Sequence, residues 1–132
     1  MPDIIETGLP TPAQPFSWAT HANGVMFTTH GPVDADGKIA GADISAQTRL
    51  TLDNLATTVA AAGSSLEDVL QVLIYMDCAQ DMPVIDAIYR EYFYAPHPNR
   101  SSIAVKGFAH PDMLIEMVAY VRIPDQAEPA AP

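Results

Sequence analysis

Two residues have types and settings that suit chemistry. Arg100 lies in the run His97-Pro98-Asn99-Arg100-Ser101-Ser102, just ahead of a β-prone segment, and is one of only six Lys+Arg set against 16 Asp+Glu. A guanidinium stays charged and grips a carboxylate through two parallel N–H bonds. An arginine presented by a proline-fixed loop is therefore a candidate anion clamp. The plainer reading is a surface arginine at a strand start. Glu116 sits inside the apolar run Leu114-Ile115-Glu116-Met117-Val118-Ala119-Tyr120-Val121-Arg122-Ile123. Acids are depleted in strands, and burying one costs free energy unless it is paired. Either Glu116 pairs with a cation such as Arg122, or it is a partly buried carboxylate of the kind that does acid/base work.

The other chemistry-bearing types are scattered. His21 and His30 fall on two neighbouring strand-like runs, His97 and His110 near prolines, and no pair has the spacing of a metal motif. They read as polar or rim histidines, and no metal or cofactor is expected. Cys78 is the lone cysteine, which excludes an internal disulfide and a cysteine-based zinc cluster; a buried structural thiol is the better reading. There is no Gly-x-Ser-x-Gly elbow and no Gly-rich phosphate loop. Tyr89, Tyr92 and Phe93 have helical spacing and read as core.

Charge narrows the partners. The 132-residue chain carries a formal net charge of -10. Nucleic-acid binding needs a basic face that displaces counterions from phosphate, and six scattered cations cannot make one. An anionic membrane is disfavoured for the same reason. No apolar run approaches the roughly 20 residues of a spanning helix, and the acidic start Met1-Pro2-Asp3 lacks the basic region of a signal peptide. The expectation is a cytoplasmic protein with a small-molecule partner.

These residues need elements to position them. Phe16–Ala22 and Val25–Gly31 flank Asn23-Gly24, the pair that suits a type I′ hairpin turn. A helix follows, capped by Asp43 or Ser45, with Ile44, Leu52, Leu55 and Val59 near helical spacing and Gly63 just past its end. Residues 68–77 are β-branched and almost continuously apolar, as in a central strand covered on both faces. Asp81 and Pro83 open a second helix bearing Ile85, Ile88, Tyr89, Tyr92 and Phe93. Strands from 101 and over 114–123 close the chain. This order predicts a single α+β domain over residues 16–123, a mixed sheet with two helices on one face. Residues 1–15 and the Pro/Ala-rich 124–132 read as an N-terminal segment and a disordered C-terminal tail. With both helices on one side, Leu114, Val118 and Tyr120 are left uncovered on the other. An apolar sheet face of that size marks an interface, so we expect a homo-oligomer with its sheets packed together inside.

The order of segments and several motifs resemble the RidA/YjgF-like reactive intermediate deaminases. The resemblance runs through Val25–Gly41, Ser45–Met76, Ile85–Phe93, Pro98–Val105 and Leu114–Ile123. It implies a chorismate-mutase-like fold, a homotrimer with sheets facing inward and cofactor-free hydrolysis of enamines or imines, with sites in clefts between subunits. It assigns the substrate carboxylate to Arg100 and the attacking water to Glu116. Three departures mark a remodelled pocket. Phe16 stands where a tyrosine is usual. Thr28-Thr29, followed by His30, replaces the usual Ser-Gly. Ser102 replaces a cysteine. Thr28, Thr29, His30, Phe16 and Ser102 are thus expected to shape substrate binding, with help from Trp18. The alternative is a non-catalytic trimer that holds a small carboxylate in the same cleft, as a regulator or a chaperone-like protein.

Overall fold

The hairpin forms where the turn chemistry places it. Asn23 and Gly24 hold φ of 53° and 79°, the left-handed pair that a two-residue type I′ turn requires. In the computed structural model, which describes residues 1–124, this turn joins β2 (Ala19–Ala22) to β3 (Val25–His30). The remaining elements are β1 (Asp3–Ile4), α1 (Ile44–Ala61), β4 (Val69–Met76), α2 (Met82–Tyr92), β5 (Asn99–Ala104) and β6 (Ile115–Arg122). They make one six-stranded sheet in the order β1-β2-β3-β6-β4-β5, antiparallel except for the parallel pair β4–β5. α2 is the crossover that a parallel pair needs.

The helices start and stop as their end residues dictate. The Asp43 carboxylate accepts the Ala46 N–H at 2.9 Å and caps α1. Gly63, at φ 75°, ends that helix. Asp81 precedes α2 but makes no capping bond there, because a short 3-10 turn over Ala79–Asp81 leads into the helix.

Alternation along the strands separates two faces. Met26, Thr28 and His30 of β3, Val72, Ile74 and Met76 of β4, and Ile115, Met117, Ala119 and Val121 of β6 all point under the helices and are buried. Leu52, Leu55 and Val59 of α1 and Ile85, Ile88 and Tyr89 of α2 close that core. Each large apolar side chain so buried contributes roughly 1.5–3 kcal/mol. α1 also buries polar residues that helical spacing does not reveal. Gln47 takes the Leu114 N–H on Oε1 and gives Nε2 to the carbonyls of Gly41 and Asp112. Asn54 gives Nδ2 to the carbonyls of Gly31 and Val33. These bonds fix the loops that enter and leave the sheet.

Several elements differ from the sequence expectation. β4 is an interior strand covered on one face only, since both helices lie on that face. Residues 1–15 are not wholly a tail: Asp3 and Ile4 pair with His21 and Thr20, and the Trp18 indole N–H donates to the Pro10 carbonyl at 2.7 Å. β2 starts at Ala19 rather than Phe16, and β5 at Asn99 rather than 101. Tyr92 lies at the rim of the core, its hydroxyl 2.7 Å from Asp53. The proposed C-terminal tail falls almost entirely outside the described residues. Among the described residues no helix is long and apolar enough to cross a membrane.

The face away from the helices stays open. Phe27 of β3 and Ile103 of β5 are 45% and 50% exposed. Phe27 meets Tyr120 edge-on at 5.5 Å between ring centroids, and Leu73, Tyr75 and Val118 lie between them and β5.

Candidate active site

β5 and α2 position Arg100. The strand register sets Arg100 opposite Val72, on the helix-covered face. There its Nη2 meets the Asp86 carboxylate at 2.6 Å, its Nε donates to the Ser102 hydroxyl oxygen at 3.0 Å, and its guanidinium lies 4.8 Å from the Tyr89 ring centroid. The plane is thus fixed by an ion pair, a hydrogen bond and a cation–π contact. Asp86, Tyr89, Arg90, His97, Pro98 and Arg100 line a cavity of about 290 Å³ beside it.

β6 and β3 position Glu116. Glu116 pairs with Tyr75 in register, so it points to the open face. Among the described residues no cation pairs with it: Arg122 is taken by Asp68 at 2.9 Å, a different outcome from the Glu116–Arg122 pairing open from sequence. The Thr29 hydroxyl reaches a Glu116 oxygen at 3.4 Å. Burial pushes the Glu116 carboxyl above its ordinary value, and the Thr29 hydroxyl opposes this without cancelling it. A carboxyl raised in this way keeps its proton to higher pH than an ordinary one.

Arg100 and Glu116 therefore occupy opposite faces of the same sheet. Within one chain they cannot hold one small substrate between them.

The other expected site residues separate in the same way. Thr28 is buried and its hydroxyl donates to the Ala119 carbonyl at 2.9 Å, so that group is committed to the sheet and not free for a ligand. Thr29 faces the open side beside Glu116, but its backbone N–H is also committed, to the Trp18 carbonyl at 3.0 Å. His30 is 1% exposed, with neither ring nitrogen hydrogen-bonded. Burial pushes its imidazole down to about 3, and its ring stacks on Trp18 at 5.6 Å. It is a neutral core histidine rather than a rim residue. Phe16 lies edge-on to Trp18 at 5.0 Å, extending that stack to the surface. Ser102 holds the Arg100 Nε and keeps its own proton to donate. No group of three or more potential metal ligands exists among the described residues.

Asp86 and Arg90 went unnoticed in the sequence. Their signal was there: Asp86, Tyr89 and Arg90 fall at i, i+3 and i+4, on one side of a helix. The helical spacing of Tyr89 marks it as core. It is that, and it is also the aromatic floor under Arg100; burial pushes its hydroxyl up to about 12.

Residues 7–123 match the family model described as Endoribonuclease L-PSP. A RutC family protein of Pyrococcus horikoshii is 35% identical over 122 residues, covering 90% of this chain and 96% of the relative. The 3-aminoacrylate deaminase RutC of Acinetobacter baylyi is 32% identical, covering 91% of this chain and 96% of the relative. The crystal structure of E. coli TdcF with bound serine superposes with a TM-score of 0.80 at 27% identity, over 91% of this chain and 98% of that one.

Proposed function

The chain belongs to the Endoribonuclease L-PSP family, which includes the RutC and RidA proteins, and on that premise we propose that it hydrolyses a small enamine or imine carboxylate to a 2-oxo acid and ammonia. The observation that carries this reading is the Glu116 carboxyl. It is half-buried, raised by burial, unpaired with any cation among the described residues, and set on an open apolar face. A relative 32% identical is a 3-aminoacrylate deaminase, whose substrate is an enamine carboxylate.

The geometry sets a condition on that chemistry. Arg100 and Glu116 face opposite sides, so a substrate held by both must lie between two copies, Arg100 from one and Glu116 from its neighbour. The open face, with Phe27, Leu73, Tyr75, Val118, Tyr120 and Ile103, supplies the apolar surface for that association. A closed trimer with sheets inward is the assembly we propose. Arg100 holds the substrate carboxylate. Glu116 takes a proton from water as the water oxygen bonds to the imine carbon, and the C=N electron pair moves to nitrogen. The nitrogen takes that proton from Glu116 to give a carbinolamine; Glu116 then takes the hydroxyl proton and passes it to nitrogen as the C–N bond breaks, the C=O bond forms and ammonia leaves. An enamine enters this route after protonation at carbon gives the imine.

Nucleic acid is a poor substrate for this chain despite the name of the family model, because a net charge of -10 repels phosphate.

The test uses imines made in situ from a panel of amino acids by an amino-acid oxidase, with ammonia release followed for wild type, Arg100→Ala and Glu116→Ala. The reading predicts wild-type acceleration over spontaneous hydrolysis, lost in both variants. Carboxylate binding that needs Arg100, with no acceleration on any imine, would instead establish the non-catalytic binding protein.

A further inference from the structure

We propose that Asp86 is an internal competitor for Arg100, a displaceable carboxylate that a substrate carboxylate must move aside and that passes to Arg90 when it does. The inference rests on the reading of Arg100 as the carboxylate clamp.

In the structure Asp86 occupies the position on Nη2 that a bidentate carboxylate would use, at 2.6 Å. Nε is held by Ser102, so the Nε–Nη2 edge is closed. The Nη1–Nη2 edge is the one left for a ligand, since Nη1 makes no hydrogen bond to the described residues. A carboxylate docking there places an oxygen next to the Asp86 oxygen on Nη2. Two carboxylates on one guanidinium carry a net negative charge and repel at contact distance. Both members of the Asp86–Arg100 pair keep about a quarter to a third of their side-chain surface exposed, so the pair is not locked in the core.

Arg90 gives the displaced carboxylate somewhere to go. It lies one helical turn after Asp86, at the i,i+4 spacing that brings an acid and an arginine together. It lines the same cavity, it is exposed, and it makes no ion pair with the described residues. Every other arginine is paired: Arg49 with Glu91, Arg122 with Asp68, Arg100 with Asp86. Asp86 thus stands between a paired arginine and an unpaired one on the same helix face. Handing it over costs little net charge separation.

The consequence is specificity. A neutral or weakly anionic ligand cannot open the Asp86–Arg100 pair, whereas a full carboxylate can. Substrate affinity is then set by the difference between two carboxylates on one arginine and not by the clamp alone.

The experiment is calorimetric titration of pyruvate, a small 2-oxo acid with one carboxylate, into the intact protein. The variants are Asp86→Asn, Arg90→Gln, the double variant and Arg100→Ala. We expect Asp86→Asn to bind pyruvate about fivefold more tightly than wild type, the scale of a partly exposed ion pair. Arg90→Gln should weaken binding in the wild-type background and change nothing in the Asp86→Asn background. Asp86→Asn that binds no more tightly, or more weakly, would overturn the proposal by making Asp86 a support for Arg100. Arg90→Gln that weakens binding equally in both backgrounds would overturn the hand-over and place Arg90 on the ligand. Arg100→Ala separates the two levels. If it abolishes binding while Asp86→Asn does nothing, only the competitor idea fails. If it leaves binding unchanged, the clamp reading fails with it.

Discussion

The two faces of the sheet are built from the same strands and do opposite things. The covered face is a finished core: Met26, Val72, Ile74, Met117 and Val121 are shut under α1 and α2. Even its histidine is held neutral there. The open face carries aromatic and aliphatic side chains at partial exposure and a carboxyl raised by the same partial burial. Strand alternation alone makes this division. It teaches that residues of one candidate site need not share a face: Arg100 is tied to the finished face and Glu116 to the unfinished one.

The comparison breaks most sharply at Glu116. Glu116→Gln should lower turnover of a susceptible imine by about 10²-fold or more, the usual contribution of a positioned acid/base group. Its effect on folding runs the other way. The folded carboxyl is raised above its ordinary value of 4.5, so the folded state holds a proton that the unfolded state gives up, and stability falls as pH rises through that window. Denaturant unfolding at pH 7 should therefore find Glu116→Gln at least as stable as wild type. A loss of stability would make Glu116 a structural residue.

On the covered face the order is reversed. Leu52→Ala should cost about 2–5 kcal/mol of stability by leaving a cavity beneath the sheet. Its effect on turnover per folded molecule should be small.

His30 sharpens the comparison by pH. The unfolded imidazole takes up a proton near 6.5, whereas the folded one resists until about 3. Between those values the unfolded state binds the extra proton, so stability is lost as pH falls, by up to about 1.4 kcal/mol per pH unit. Urea midpoints for wild type and His30→Phe between pH 7 and 4 should diverge, the variant being the less acid-sensitive. Parallel curves would mean that His30 is protonated in the folded protein.

Phe27 gives the smallest effect on folding. Phe27 is 45% exposed in one chain, so Phe27→Ala should cost that chain less than about 1 kcal/mol. If the proposed trimer forms through this face, sedimentation should nevertheless show Phe27→Ala dissociating at concentrations where wild type stays associated.

Much of this division was legible in the sequence. The period-two run of β6 separates Ile115, Met117, Ala119 and Val121 from Glu116, Val118 and Tyr120, and the structure keeps that division. Asn23-Gly24 and Asp43 declare a turn and a cap because each depends on neighbouring backbone alone. What the sequence left hidden depends on pairing across the sheet. Thr28 and Thr29 are adjacent, yet one spends its hydroxyl on Ala119 and the other aims at Glu116. Arg100 read as a free clamp because its partner Asp86 comes from a helix 14 residues earlier. The fate of residues 3 and 4 depended on β2 offering a free edge, which local pattern does not encode.

The central claim is that Arg100 and Glu116 act on one substrate from different chains. Mixing Arg100→Ala with Glu116→Gln protein, after dissociation and reassembly, tests it most directly. Each variant alone is inactive by this account. Mixed assemblies contain sites where an intact Arg100 meets an intact Glu116, and random mixing into closed rings restores roughly a quarter of wild-type activity. Mixed assemblies confirmed by mass that remain as inactive as their parents would contradict the claim.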